Sequence, residues 1–348
     1  MLALQKKQRR MNILVTGGAG FIGSHTVVEL IEAGYSPVIV DNLSNSDPSV
    51  LQGLKNILGK DIPFYQEDCN DYVKMNKVVQ RHNIEGIIHF AAFKAVGESV
   101  AEPLKYYQNN IGSLLNVLNV MQANGIRNLV FSSSCTVYGQ ADVIPVTENT
   151  PKKKAESPYG NTKAIAEDIL EDTVKAGLGF GIISLRYFNP VGAHPTAEIG
   201  ELPIGVPNNL VPYITQTAAG VREKLTVFGN DYDTPDGSNI RDFIHVVDLA
   251  KAHVSALNLL QKHTDAPYYN VFNIGTGTGN TVLEVIDTFE KVNHLKLNYE
   301  IGPRRPGDVV KIYGDVEKAA VEMNWRAAKT LEESMKDAWR WQKKISNL

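Results

Sequence analysis

The sequence predicts an α/β protein, a doubly wound parallel sheet followed by a smaller, loop-rich α/β lobe. Three observations carry this. Short apolar, β-branched runs alternate with segments of helical spacing through the first half. Those runs are nearly continuous in apolar residues, as strands covered on both faces must be. Near Pro190 the texture changes, with Pro, Gly and Asn clustering over 189–209 and again over 229–239.

In chain order, MNILVTG (11–17), SPVIVDN (36–42), GIIHFAA (86–92), NLVFSSS (128–134) and FGIISLRYF (180–188) read as buried strands. Between them, 21–34, 73–82, 103–124 and 160–176 have helical spacing. Residues 11–189 therefore form the expected first domain and 190–348 the second. VFNIG (271–275) is strand-like, so segments around 240–280 are expected to return to the first domain. The opening MLALQKKQRR is basic and lacks the apolar stretch of a secretory signal, and patterned sequence starts at Met11. Residues 1–10 read as a disordered leader; a mitochondrial-type presequence is the alternative.

The bulk numbers exclude several functions. With 348 residues, 43% of them hydrophobic and 21% charged, the chain has ample material for a core. A formal net charge of −3 gives no reason to expect nucleic acid or a polybasic membrane contact. The longest apolar runs are too short to span a bilayer. Two cysteines, Cys69 and Cys135, argue against a disulfide framework or a cysteine-built metal site, and point to a reducing, cytoplasmic location. No metal site is expected.

TGGAGFIG (16–23) follows the first predicted strand and opens a helix. Its glycines fit either Gly17, Gly20 and Gly23 or Gly18, Gly20 and Gly23. Both patterns allow a tight turn and close approach of a pyrophosphate to a helix N-terminus. The second predicted strand reaches Asp41, an acid placed to bind ribose hydroxyls and to repel a 2′-phosphate. Together they predict a Rossmann-type dinucleotide site for NAD.

SPYGNTK (157–163) places Tyr159 and Lys163 on one face of a helix. Oxidising a hydroxyl to a ketone requires a base on the hydroxyl proton as hydride leaves carbon. A phenol, with an ordinary pKa near 10, becomes that base when cations stabilise its anion, and Lys163 one turn away, together with the positive charge of oxidised nicotinamide, is expected to lower it. Ser134, at the end of NLVFSSS, supplies a hydroxyl to share the proton.

The glycine loop and the Ser134, Tyr159, Lys163 set resemble the extended short-chain dehydrogenase/reductases. HFAAFKAVGESV (89–100), SSSCTVYG (132–139), LRYFNPVGAHP (185–195), VPNNLVPYI (206–214), FGNDY (228–232), RDFIHVVDLA (241–250) and RRPGD (304–308) resemble, within them, the UDP-glucose 4-epimerases. The likeness runs from about Met11 to Trp341. It implies reversible epimerisation at C4 of UDP-hexoses through a 4-keto sugar, with NAD tightly held. Tyr159 would move the proton, with Ser134 and Lys163 beside it. The cofactor set it implies begins with Gly17, Gly20, Phe21, Ile22 and Gly23, then Asp41, Asn42, Asn45 and Ser46. It continues with Asp68 near adenine and Cys69, then Phe90, Ala91, Ala92 and Lys94, and Asn109, Ser132, Tyr159, Lys163 and Tyr187. For the UDP-sugar, Arg241 and Arg305 match diphosphate contacts, and guanidinium forks suit phosphate oxygens. Asn189, Asn209, Leu210, Phe228 and Asp308 match positions around diphosphate and uridine, with Lys94, Ser134 and Tyr159 near the sugar.

Ile312, four residues past Asp308, stands where family members carry a bulky Tyr or a small residue such as Cys beside the sugar's 2-substituent. Isoleucine leaves more room than tyrosine, so N-acetylated UDP-sugars are expected to enter; a one-residue shift would put Tyr313 there instead. The resemblance also implies a homodimer, formed through 103–124 and 160–176; the alternative is that the apolar residues of these helices face their own sheet. Competing readings on the same scaffold are a nucleotide-sugar dehydratase, a decarboxylase and a non-catalytic NAD-binding regulator. Dehydratases place Asp-Glu just after the hydroxyl residue, where this chain has Cys135-Thr136. A regulator has no need of all three catalytic residues.

Overall fold

The structure, a computed structural model, describes residues 11–263, 267–305 and 308–348. The expected leader, 1–10, lies outside the described residues, as do Pro306 and Gly307 of the RRPGD motif.

Strands β1 (Asn12–Thr16), β2 (Ser36–Val40), β3 (Phe64–Tyr65), β4 (Gly86–His89), β5 (Asn128–Ser132) and β6 (Gly181–Tyr187) form one parallel sheet. The strand Tyr268–Ile274, from the second half of the chain, adds to the free edge of β6. The order across the sheet is Tyr268–Ile274, β6, β5, β4, β1, β2, β3. Order reverses between β1 and β4, which opens a crevice beyond their carboxyl ends. Strand residues alternate between the faces. Ile13, Val15, Ile88, Val130 and Ile183 point into one apolar cluster, and Leu14, Ile87, Leu129 and Ile182 into another. Each such fully buried side chain contributes about 1.5–3 kcal/mol. Apolar side chains on both faces are why the strands read as continuous runs.

Helices α1 (Phe21–Glu32), α2 (Ser49–Leu58), α3 (Tyr72–His82), α4 (Val96–Ala101), α5 (Pro103–Asn124) and α6 (Pro158–Lys175) follow in order. The first cluster is closed by α1 and the helix Val246–Lys262, the second by α3, α5 and α6. Caps fix the ends of these helices. Proline stands at the first position of α5, and Gly125 ends it in the left-handed region at φ +66°. The Ser157 hydroxyl accepts from the Gly160 N–H at 3.2 Å at the entry of α6.

The rest of the chain builds smaller units. Leu225–Phe228 pairs with Tyr299–Gly302, and Ile240–Arg241 lies between Asn280–Thr281 and Lys311–Ile312. Helices Leu210–Ala218, Val282–Asn293 and Leu331–Ile345 share a separate core containing Ile214, Phe289 and Met335. Among the described residues no helix is long and apolar enough to cross a membrane.

Candidate active site

One cavity of about 1530 Å³ runs from the crevice beyond β1 and β4 to the smaller core. Apart from the alternatives Gly18 and Tyr313, every residue singled out above for cofactor, catalysis or nucleotide sugar lines it.

At its floor the chain leaves β1 through Gly17, at φ +68°. A Cβ on Gly17 would sit 2.8 Å from the Ala91 nitrogen beyond β4, and one on Gly23 would sit 2.2 Å from the Gly17 carbonyl oxygen. Both positions therefore require glycine. Gly18 does not line the cavity; its hydrogen atoms face Ile39, so the pattern in use is Gly17, Gly20, Gly23. Helix α1 starts at Phe21 with no side chain capping it. Its first N–H groups are left for an anion, the arrangement a pyrophosphate uses. The Asp41 carboxylate accepts from Ala19 N at 3.1 Å, Leu43 N at 2.9 Å and Ser46 Oγ at 3.3 Å. Burial raises its pKa, and these bonds oppose the rise. Asp68, held by Asn70 and Asn42, is the second acid on this wall. Phe21, Ile22, Asn45, Cys69, Phe90 and Ala92 complete the lining here. These donors, acids and close backbone approaches fit a dinucleotide.

The residues expected to be catalytic sit deeper. Strand β5 ends at Ser132, two residues before the sequence suggested, because the Ser134 hydroxyl turns to accept from Thr136 N at 3.2 Å and caps a short 3₁₀ turn, Cys135–Tyr138. Tyr159 and Lys163 project from successive turns of α6. The Lys163 ammonium donates to the Ser132 carbonyl at 2.6 Å and lies 4.9 Å from the Phe131 ring centroid. The Ser132 and Tyr187 hydroxyls meet at 2.5 Å. The chain's own groups do not lower the Tyr159 pKa by themselves. Burial dominates and pushes the Tyr159 phenol above its ordinary range, with Tyr187 adding to the rise and the Ser134 hydroxyl opposing it. Burial also lowers Lys163, to about 8, against the pull of Glu167. The folded chain alone thus keeps the phenol neutral, and further positive charge in the cavity is needed to ionise it.

At the other end, Arg305 grips Asp308 through Nη2 at 2.7 Å and Nε at 3.2 Å, and its guanidinium lies 5.6 Å from the Phe228 ring centroid. Arg241 donates to its neighbour's carbonyl, the Ile240 oxygen, at 2.8 Å. Burial lowers its pKa, and the Asp308 charge opposes that. Asn189 and Leu210 line the wall between. Ile312 is 5% exposed, packed among Cys135, Tyr138 and Phe188, and lines the cavity. Tyr313 does not; its ring packs over Gly279.

Two features escaped the sequence. Glu201 accepts from Lys94 Nζ at 3.3 Å and from Asn209 Nδ2 at 2.6 Å, joining two residues assigned to ligand. Asn110, next to the assigned Asn109, pins both the N–H and the carbonyl of Phe93, at 2.9 and 3.0 Å, and so fixes the loop that carries Lys94. Neither motif nor spacing marks them, because their partners are remote in sequence. Among the described residues no group of three or more His, Cys, Asp or Glu is placed to hold a metal ion.

The family model described as GDP-mannose 4,6 dehydratase matches residues 14–338. The UDP-glucose 4-epimerase of Bacillus subtilis is 51% identical over 95% of this chain and 97% of its own. That of Pasteurella multocida is 50% identical over 96% and 98%. The crystal structure of UDP-glucose 4-epimerase from Stenotrophomonas maltophila, with bound NAD and formylated UDP-arabinopyranose, superposes with a TM-score of 0.94 at 46% identity. It covers 97% of this chain and 99% of that one. Identity at this level along almost the whole length places the chain in the UDP-glucose 4-epimerase family of the extended short-chain dehydrogenase/reductases.

Proposed function

We propose that this protein interconverts UDP-glucose and UDP-galactose, using NAD that stays bound between turnovers. The observation that carries this is a single cavity holding the glycine loop and Asp41, the Ser134, Tyr159, Lys163 set, and Arg241 and Arg305. In that cavity NAD would take up and return the C4 hydride. Tyr159 accepts the proton of the 4-hydroxyl and gives it back to the same oxygen, while the hydride would return to the opposite face of C4. Ser134 shares that proton, and Lys163, fixed on the Ser132 carbonyl, holds positive charge beside the phenol. Arg241 and Arg305 hold the diphosphate while the hexose turns about its link to it, which the cavity's volume allows. Gly17 to Gly23 and the N-terminus of α1 hold the dinucleotide pyrophosphate, Asp41 a ribose, and Asp68 lies toward adenine.

Ile312 lines the cavity and Tyr313 does not, which supports entry of UDP-GlcNAc and UDP-GalNAc as well. Dehydration lacks its acid-base pair: the Cys135 thiol, buried, is pushed up to about 12. Residues 11–189, with the segment around 240–280, form the cofactor half, and the rest of 190–348 forms the UDP-sugar half. Helices α5 and α6 lie side by side, and Leu104 and Leu115 of α5 are exposed, which supports a homodimer through this face. Two buried free thiols suit the cytoplasm.

The test is a coupled assay of purified protein with UDP-galactose and no added NAD. UDP-glucose should form, and nucleotide released on denaturation should be NAD. Protein that carries NAD yet forms no UDP-glucose would refute the reading.

A further inference from the structure

Behind the cavity wall, and not lining it, lies a buried charge network. Glu167 is 1% exposed and Arg186, on β6, is 5% exposed. Arg186 forks the carboxylate, Nε to Oε1 at 2.9 Å and Nη2 to Oε2 at 2.6 Å. The Ser133 hydroxyl donates to the same carboxylate at 2.6 Å. Ser133 stands between Ser132, whose carbonyl holds Lys163, and Ser134. Glu167 follows Lys163 by four residues and Tyr159 by eight, so phenol, ammonium and carboxylate occupy one stripe of α6.

A buried ion pair is a poor way to gain stability, because desolvation offsets the attraction. Its place behind the catalytic residues suggests another use. We propose that Glu167, locked by Arg186, is a positioning residue for the catalytic centre. It fixes the Ser132–Ser134 segment and supplies the counter-charge that keeps Lys163 an ammonium beside Tyr159. This rests on the roles given to Tyr159 and Lys163 above.

The surrounding charges agree. Glu167 pulls the pKa of Lys163 up against burial. His89 also faces Lys163, but burial lowers it to about 3, so it is uncharged at neutral pH. Lys152 Nζ approaches Glu167 Oε2 only to 3.8 Å and also pairs with Asp168. The Tyr269 hydroxyl reaches the Glu167 carbonyl at 3.4 Å. On the far side, Arg186 donates to the Tyr138 hydroxyl at 3.1 Å and to the Glu148 carbonyl at 3.3 Å.

The test compares Glu167→Gln, which keeps a partner for Ser133 but removes the charge, with Glu167→Asp, which keeps the charge. In the purified NAD-loaded protein, ionisation of Tyr159 is read as the phenolate absorbance that Tyr159→Phe abolishes. In Glu167→Gln, Lys163 should lose its proton about one pH unit earlier. The Tyr159 phenolate should then appear at higher pH, and the alkaline limb of kcat should move down by a similar amount. Affinity for UDP should be unchanged, and Glu167→Asp should restore the parent profile. A phenolate titration and an alkaline limb that both stay in place would overturn the proposal, even if kcat fell. Should Glu167→Gln not fold, Glu167→Gln with Arg186→Gln removes both charges and faces the same criterion. The phenolate titration requires no turnover, so a parent protein that holds NAD without epimerising refutes the proposed function while Glu167 is still tested.

Discussion

Replacing Gly23 by alanine tests the dinucleotide loop at its tightest point. The added Cβ would lie 2.2 Å from the Gly17 carbonyl oxygen and 2.8 Å from the Gly18 Cα. Both are backbone atoms of the turn, so neither retreats by a rotamer change. Alanine within a helix gains about 0.5–1 kcal/mol over glycine. Overpacking costs about 1–3 kcal/mol, and contact with backbone puts this site at the upper end. The clash wins by roughly 2 kcal/mol, which lowers Tm by about 4–8 °C. Because relief of the clash must move the start of α1 away from the turn, NAD should also be held at least about tenfold more weakly, a change of ~1.4 kcal/mol. Differential scanning fluorimetry and nucleotide content per protomer measure the two effects. Gly97→Ala is the control, since a Cβ there meets nothing within 4 Å. Full NAD content and an unchanged Tm in Gly23→Ala would refute the loop's assignment.

Tyr159→Phe should reduce kcat by at least about 10²-fold, the low end for loss of a general acid-base group. UDP titration by calorimetry and NAD content should match the parent; surviving turnover would unseat Tyr159 as the proton carrier. Ile312→Tyr should raise discrimination against UDP-GlcNAc relative to UDP-glucose by about 10–100-fold, from the ~1–3 kcal/mol cost of overfilling a packed site. Equal losses for both sugars, in kcat/KM assays, would count against that position facing the 2-substituent. Stability should fall steeply in acid. Burial lowers His25 and His89 to about 3 and His253 to about 4, so the folded chain binds fewer protons than the unfolded chain below the ordinary value near 6.5. Their contribution is present above that value and lost as pH falls toward 3–4. Each steepens the loss by about 1.4 kcal/mol per pH unit. Urea midpoints that stay level between pH 6.5 and 4.5 would contradict this.

What the sequence disclosed followed its period. Strands buried on both faces appear as unbroken apolar runs, and α5 could be bounded to the residue because Pro103 and Gly125 mark its ends. Helix α2 was not visible. It is short, and its place is set by a remote contact, where Gly53 packs on the Glu198 backbone and Asn56 bonds the Glu198 side chain at 2.8 Å. The site was legible where motif and chemistry coincide, as at Gly17, Asp41, Tyr159 and Lys163. Its electrostatics were not, because desolvation depends on what covers a group, and burial is the largest influence of the chain itself on Tyr159. Glu201, Asn110 and the pairing of Glu167 with Arg186 lay beyond reach for the same reason: their partners come together only in the folded chain.

The strand Tyr268–Ile274 beside β6 also sets a clock for synthesis. The sheet cannot be completed as the chain emerges, since its last strand is made long after its neighbour. At about 5–20 residues per second, the stretch from Tyr187 to Ile274 takes on the order of 5–15 s. For that interval the edge of β6 offers unpaired backbone groups, an invitation to wrong partners. The helix Val246–Lys262, which covers one face, is delayed almost as long. Early release by a premature stop before residue 274 would thus leave a nucleotide loop already made on a sheet that has no finished edge.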